Sequence, residues 1–202
     1  GQSGKGIGQS ARRKEDARFL SGGGQFVGDL KFPNMQDVAF VRSPLAHGTI
    51  VSIDIPALHR DSVYCANDLG DVQSICAVSA LKGFKPSVQP VLATGKVRYV
   101  GELLAACLGN TRAEAEDVAD EVYADIDELP VVVDMLEGRK VDAPVIHEEW
   151  GDNVFLETEV SVAKPEIVKE APIKVTRRLR MSRQCMAPLE GRGVLAFWDS
   201  RS

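Results

Sequence analysis

An α+β domain with an extended arm in front and the opening of a second element behind is the fold class that this sequence of 202 residues predicts. Two strand-like runs come first, a short apolar one at 38–41 and a β-branched one at 49–53. A strand–helix–strand order then follows over residues 97–133. The third observation is a helix start at Thr111, with Glu114 three residues on, the spacing at which each side chain can satisfy an orphan backbone N–H of the first turn.

Taken in order, residues 1–25 are rich in glycine, serine and charge, and only Phe19 and Leu20 could anchor them, so an arm with a short helical turn is expected. The cluster Gly4-Lys5-Gly6-Ile7-Gly8 matches neither GxxxxGK[ST] nor GxGxxG and has no strand before it, which excludes both phosphate-loop motifs. The run Val38–Val41 is followed by a proline-containing turn, RSPLAHG, and then by the strand Thr49–Ile53. Residues 57–90 are punctuated by Gly70, Gly83, Pro86 and Pro90 and read as loops with short elements.

Val97–Val100 reads as a strand, Gly101-Glu102 as a turn, and Leu103–Leu108 as an apolar strand buried on both faces. In the stretch NTRAEAEDVADEVYADID, Ala115, Val118, Ala119 and Val122 recur as a narrow stripe of small residues that lets a helix approach a sheet closely. Its carboxylates line the solvated face. Val131–Val133 follows Pro130 as the next strand, and the Lys/Glu/Pro-rich stretch from Lys164 to Pro172 reads as a connector. Beyond it, Ile173–Met181 alternates apolar and basic residues as a half-exposed strand would, and Val194–Trp198 starts another strand. An edge strand without a partner templates association, so the chain alone is expected to behave poorly.

With 44% hydrophobic and 26% charged residues the composition is that of an ordinary globular protein, and no apolar stretch reaches the roughly 18–20 residues of a membrane span. The start has no signal-peptide core, so a cytoplasmic protein is expected. A net charge of −5 argues against nucleic-acid binding, which needs a basic face. The basic clusters at Arg12-Arg13-Lys14 and at Arg177, Arg178, Arg180 and Arg183 read as solvated or partner-contacting surface. Cys65, Cys76, Cys107 and Cys185 are scattered without a CxxC, so free thiols rather than a zinc or iron–sulfur site are expected.

The chemistry on offer within the chain is sparse. His47 lies in a turn and is expected to bond backbone; His147 precedes Glu148-Glu149 but has no second histidine at ligand spacing. Cys185, beside Arg183, has no histidine near it in sequence and is expected to be a buried structural cysteine. No catalytic and no metal-ligating residue is assigned.

Four stretches together resemble one family. Residues 7–54, IGQSARRKEDARFLSGGGQFVGDLKFPNMQDVAFVRSPLAHGTIVSID, are similar to the N-terminus of the molybdenum-bearing large subunit of xanthine dehydrogenase and aldehyde oxidase family enzymes in their bacterial form. PVLATGKVRYVGELLAACLGNTRAEAEDVADEV (90–122), PVIHEEWGDNV (144–154) and RQCMAPLEGRGVLAFWD (183–199) resemble the later landmarks, in order. Residues 57–90 fit least well, and Leu103 stands where the family has proline.

The resemblance implies an arm at 1–25, an α/β hammerhead domain with a mixed sheet and a packed helix at 26–160, and at 161–202 a connector with the first strands of a molybdopterin-binding domain. It implies a part of the molybdenum-cofactor subunit of a multi-subunit oxidoreductase, which hydroxylates a carbon centre with oxygen from water. The molybdenum–molybdopterin would be bound mainly by a companion polypeptide, and electrons would pass to 2Fe–2S clusters and FAD on partner subunits. Gln184, six residues before Glu190, lies where the family has a glutamine whose amide contacts an oxo ligand of molybdenum. Glu190 and Arg192 read as a pair bracing the local turn. Glu102 mimics the Gly-Glu of the family's catalytic base, which belongs to a site beyond this chain, so Glu102 is expected to cap a strand turn. A free-standing interaction module with the same fold and no catalysis is the alternative. Substrate identity is set by residues outside the chain.

Overall fold

The computed structural model describes residues 13–159, 165–182, 184–188 and 190–199. The Gly4–Gly8 cluster, Arg12, Lys164 and Arg183 lie outside them. The described residues fall into two compact units, Asn34–Pro172 and a second one joining Gly1–Pro33 with Ile173–Ser202. In chain order the elements are α1 (Asp16–Leu20), β1 (Asp37–Arg42), β2 (Gly48–Asp54), β3 (Val63–Cys65), β4 (Ile75–Cys76), β5 (Val88–Gln89), β6 (Lys96–Val97), β7 (Leu103–Gly109), α2 (Arg112–Asp120), β8 (Tyr123–Glu128) and α3 (Pro165–Glu170). No helix among the described residues is long and apolar enough to cross a membrane.

The α+β class holds, with a change in the sheets. Where a mixed sheet is expected, every described strand pair is antiparallel, in the orders β1-β7-β3, β6-β2-β8 and β4-β5. The reason lies in α2: it links β7 to β8, strands of different sheets, so no parallel crossover within one sheet arises. For the same reason β1 and β2 are not a hairpin; each pairs with strands from later in the chain.

β7 is central to its sheet and buried on both faces, as its apolar run requires, with Leu104, Ala105 and Cys107 fully inaccessible. Leu104 joins Ala93 and Val97 in one cluster, while Ala105 and Cys107 join Val63 and Val122 in another. Val41 of β1 and Ile53 of β2 pack against both clusters, which makes the core between the sheets continuous.

Thr111 caps α2, its hydroxyl accepting the Glu114 N–H at 3.2 Å. The return contact of the box shifts by one residue: the Glu114 carboxylate accepts the Asn110 N–H at 2.9 Å. α2 packs on β7 and β1 through its small stripe, with Ala115 fully buried.

Several element expectations fail. The acidic stretch Tyr123–Glu128 is strand β8, not the tail of the helix, and Val131–Val133 is not a strand. Pairing with β2 decides this, because it turns Ala124 and Ile126 inward onto the core and Tyr123, Asp125 and Asp127 outward. Val133, by contrast, is 89% exposed. Ile173–Met181 and Val194–Trp198 form no ladder among the described residues: an extended segment becomes a strand only against a neighbour, and Leu179 and Trp198 stand out in solvent.

The close approach of α2 to β7 rests on Gly109, where a Cβ would lie 2.4 Å from the Ala115 backbone nitrogen. Neither backbone can yield without breaking the cap or the ladder. Gly109→Ala is expected to destabilise the fold by about 3 kcal/mol, the upper range for overpacking, against about 1 kcal/mol for loss of the cap in Thr111→Ala. Urea unfolding of the two variants checks the order.

Candidate functional site

The sequence brings its candidate residues to two places, one in each unit. In the Asn34–Pro172 unit the turn between β6 and β7 is held from several sides. The Glu102 carboxylate accepts the Arg98 N–H at 2.6 Å, Ser43 N–H donates to the Glu102 carbonyl at 2.9 Å, and the Arg42 guanidinium donates to the Gly101 carbonyl at 2.9 Å. Glu102 is thus a buried cap of the turn, 3% exposed, as expected. His47 also meets its expectation: Nδ1 lies 2.6 Å from the Pro130 carbonyl. A carbonyl only accepts, so Nδ1 carries the proton and donates; Nε2 is buried without a partner.

The stretch PVIHEEWGDNV is a latch. Asn153 donates to the Gly138 and Pro144 carbonyls at 3.1 and 2.8 Å and accepts the Ile146 N–H at 3.0 Å. The Trp150 indole N–H donates to Pro86 O at 2.9 Å, and Lys85 Nζ reaches Asp152 Oδ1 at 2.6 Å and Trp150 O at 3.1 Å. His147 stacks on Trp150 at 4.1 Å and bonds Glu149 at 3.2 Å, so its ring is occupied structurally. The Lys85 hydrogen bond, with a second one from the Val154 N–H, holds the Asp152 carboxyl below its ordinary range; Lys96, 2.7 Å from Glu148, does the same there.

Two clefts open on this unit. One of about 390 Å³ has Ile50, Ile53 and Ile55 on its walls beside Arg60, Cys65 and Asp68. The other, of about 330 Å³, includes His59, whose Nε2 lies 2.9 Å from Glu121. No group of three His, Cys, Asp or Glu side chains suited to a metal occurs among the described residues.

All four cysteines are free, as expected. Burial pushes the Cys107 thiol up to about 11, with a smaller contribution from Cys65, and burial and then Asp68 raise Cys65. Cys185 corrects its expectation: it is exposed, because the segment around it has no apolar layer to enter.

The other unit holds Gln184. Its side chain is exposed, and no hydrogen bond to another described residue engages it. Three residues on, Ala187 adopts φ 40°, the left-handed region, immediately before Pro188. Glu190 does not pair with Arg192 as expected. Its Oε1 accepts the Val27 N–H at 3.1 Å, a contact spanning 163 residues that no local sequence signal announces. At Gly193 a Cβ would lie 2.6 Å from Val27 Cγ1, so the arm runs close against this segment. One unpaired amide suits a single hydrogen bond to an electron-rich oxygen. It suits a metal group held by its own organic ligand, and gives no ligand set for a bare ion.

Residues 21–130, just over half of the chain, match the family model for the a/b hammerhead domain of aldehyde oxidase and xanthine dehydrogenase. The chain belongs to that family. It is 33% identical over 199 residues to the nicotine 6-hydroxylase large subunit of Paenarthrobacter nicotinovorans, covering 96% of this chain and 24% of the relative. Quinoline 2-oxidoreductase from Pseudomonas putida 86 superposes with TM-score 0.71 at 34% identity, over 82% of this chain and 22% of that one. A Cu,Mo-CO dehydrogenase superposes with TM-score 0.61 at 31% identity, over 77% and 20%. The chain therefore spans about a quarter of the length of the curated relative and about a fifth of the solved ones. The α/β hammerhead is the two-sheet core with α2 described above.

Thiol labelling in the folded state at pH 8 is expected to modify Cys76 and Cys185, which are exposed, and to spare Cys107, whose thiol stays protonated and buried. Mass spectrometry of the alkylated peptides reads this. The latch has a pH signature. Asp152 and Glu148 have folded-state pKa values below their unfolded ones, so their contribution is fully present above the ordinary carboxylate pKa of about 4 and is lost as pH falls through the depressed folded values. Amide exchange at Lys85, whose N–H donates to Phe155 O, is expected to rise in that acid window, and Lys85→Gln should weaken the pH dependence contributed by Asp152, leaving the part due to the Val154 N–H.

Proposed function

We propose that this chain is the N-terminal part of the molybdenum-cofactor subunit of a multi-subunit hydroxylase or dehydrogenase. It supplies the hammerhead domain, residues 26–160, and from 161 to 202 a connector and the first part of the molybdopterin-binding region. The observation that carries this reading is the match, in order and along 96% of this chain, to a large subunit named for hydroxylation. That one structural relative is a Cu,Mo-CO dehydrogenase supports the choice of metal.

In this reading the molybdenum group, held mainly by a companion polypeptide, supplies oxygen-atom transfer from water to a carbon centre of a small-molecule substrate. The electrons released would be taken up by 2Fe–2S clusters and FAD that iron–sulfur and flavin subunits would hold, in the cytoplasm. The chain's own contribution is positional. Gln184 offers its free amide N–H to an electron-rich oxygen of the group; a donor aimed there stabilises negative charge without itself reacting. The buried Glu102 and His47, already bonded to backbone, serve the fold.

Native mass spectrometry with metal analysis on the complex purified through this chain is the direct test. A larger companion polypeptide carrying molybdenum and iron in the same particle is the expected result. A lone chain free of both metals would favour the non-catalytic module. In the assembled enzyme, Gln184→Ala is expected to lower kcat about tenfold or more, the range for groups that tune a metal from outside its ligand set, with KM nearly unchanged.

A further inference from the structure

We infer that the N-terminal arm, which in the structure extends to Pro33 within the unit that holds Gln184, is a clasp that sets the position of Gln184, with Glu190 as a positioning residue that acts through the Val27 backbone N–H; the inference rests on the cofactor-contact reading of Gln184. Three observations converge. The segment from Gln184 to Glu190 contains a backbone strain: Ala187 has φ 40° and precedes Pro188, although a residue before proline is sterically driven to extended conformations and the left-handed region is costly for any residue with a Cβ. Such a conformation persists only when its surroundings over-determine it. What over-determines it here lies on the arm. Glu190 Oε1 accepts the Val27 N–H at 3.1 Å, and Gly193 leaves no room for a Cβ against Val27 Cγ1, 2.6 Å away.

The arm is itself fixed at that point. Phe26 stacks on Phe19 of α1 with ring centroids 6.1 Å apart, and the Phe26 N–H donates to Asp29 Oδ2 at 3.0 Å, so Val27 is presented from a short, internally bonded hook. A carboxylate accepting a backbone N–H is a charge-assisted bond and holds a narrower geometry than a neutral one. The tether lies three residues after Ala187 and six after Gln184 in sequence. An amide that must meet one oxygen depends on that geometry, because small displacements of a positioned group cost large factors in rate.

The contact can be removed from either side. Glu190→Ala deletes the acceptor. Val27→Pro deletes the donor at the first residue of a 3-10 turn, where proline is tolerated, and Phe26 at φ −117°, ψ 164° already has the conformation that a following proline requires. Glu190→Gln keeps an acceptor oxygen. In the assembled enzyme, amide exchange over residues 184–193 is expected to rise about tenfold in Glu190→Ala and in Val27→Pro, no further in the double variant, and to return toward wild type in Glu190→Gln. The molybdenum electron paramagnetic resonance signal should shift in the same variants, with kcat down about three- to tenfold and KM within twofold. Unchanged exchange, or fully additive effects of the two single variants, would overturn the clasp. Coupled exchange with an unshifted signal and wild-type kcat would overturn the positioning role, provided that Gln184→Ala does alter the signal. If Gln184→Ala is itself silent, the cofactor reading of Gln184 fails and the positioning role falls with it, and the exchange data then decide the clasp by itself.

Discussion

Strand β7 is the constraint from which the rest of the larger unit follows. It is hydrogen-bonded on both edges, to β1 and to β3, and covered on both faces, so no residue from Leu104 to Cys107 can carry a charge without burying it. Its entrance is closed by the buried carboxylate of Glu102 and its exit by Gly109 against the first turn of α2. Register then propagates outward. Pairing with β1 turns Val41 into the core, where it meets Ile53 of β2, and β2 in turn aligns β8. Among the described residues two buried side-chain nitrogens are left unmatched, His47 Nε2 and Arg98 Nε, and the first is the cost of using Nδ1 to hold the Pro130 carbonyl.

The two units differ in how far they satisfy themselves. Within Asn34–Pro172, loops are tied by side chains that reach backbone carbonyls: Asn153, Trp150 and Lys85 each close a stretch with no ladder of its own. The segments 173–182 and 190–199 instead hold Val175, Leu179, Met181, Phe197 and Trp198 in solvent. Apolar side chains at that density need a covering surface. The proposed cofactor contact, Gln184, sits on the unit with these exposed apolar side chains, and the well-packed unit carries architecture.

Helix α2, the apolar strand β7, the free thiols and the role of Glu102 could all be read from the sequence, because each depends on short-range chemistry: a cap at Thr111, a stripe of small residues, a run with no polar position, a carboxylate four residues from the N–H it accepts. His47 was legible only as a side chain that bonds backbone, and its acceptor, Pro130, lies 83 residues on. The family too was legible, from landmarks spread along the chain in fixed order. Tertiary structure decided what depends on a partner distant in sequence. Tyr123–Glu128 looks like helix until β2 lies beside it and sorts its alternating residues into inside and outside. Val131–Val133 and Val194–Trp198 look like strands and form no ladder among the described residues. Glu190 reads as the partner of Arg192 two residues away, yet bonds Val27 across 163 residues. Local sequence sets a propensity of a few tenths of a kcal/mol to about 1 kcal/mol per residue, and a ladder or a tether formed across the fold outweighs it.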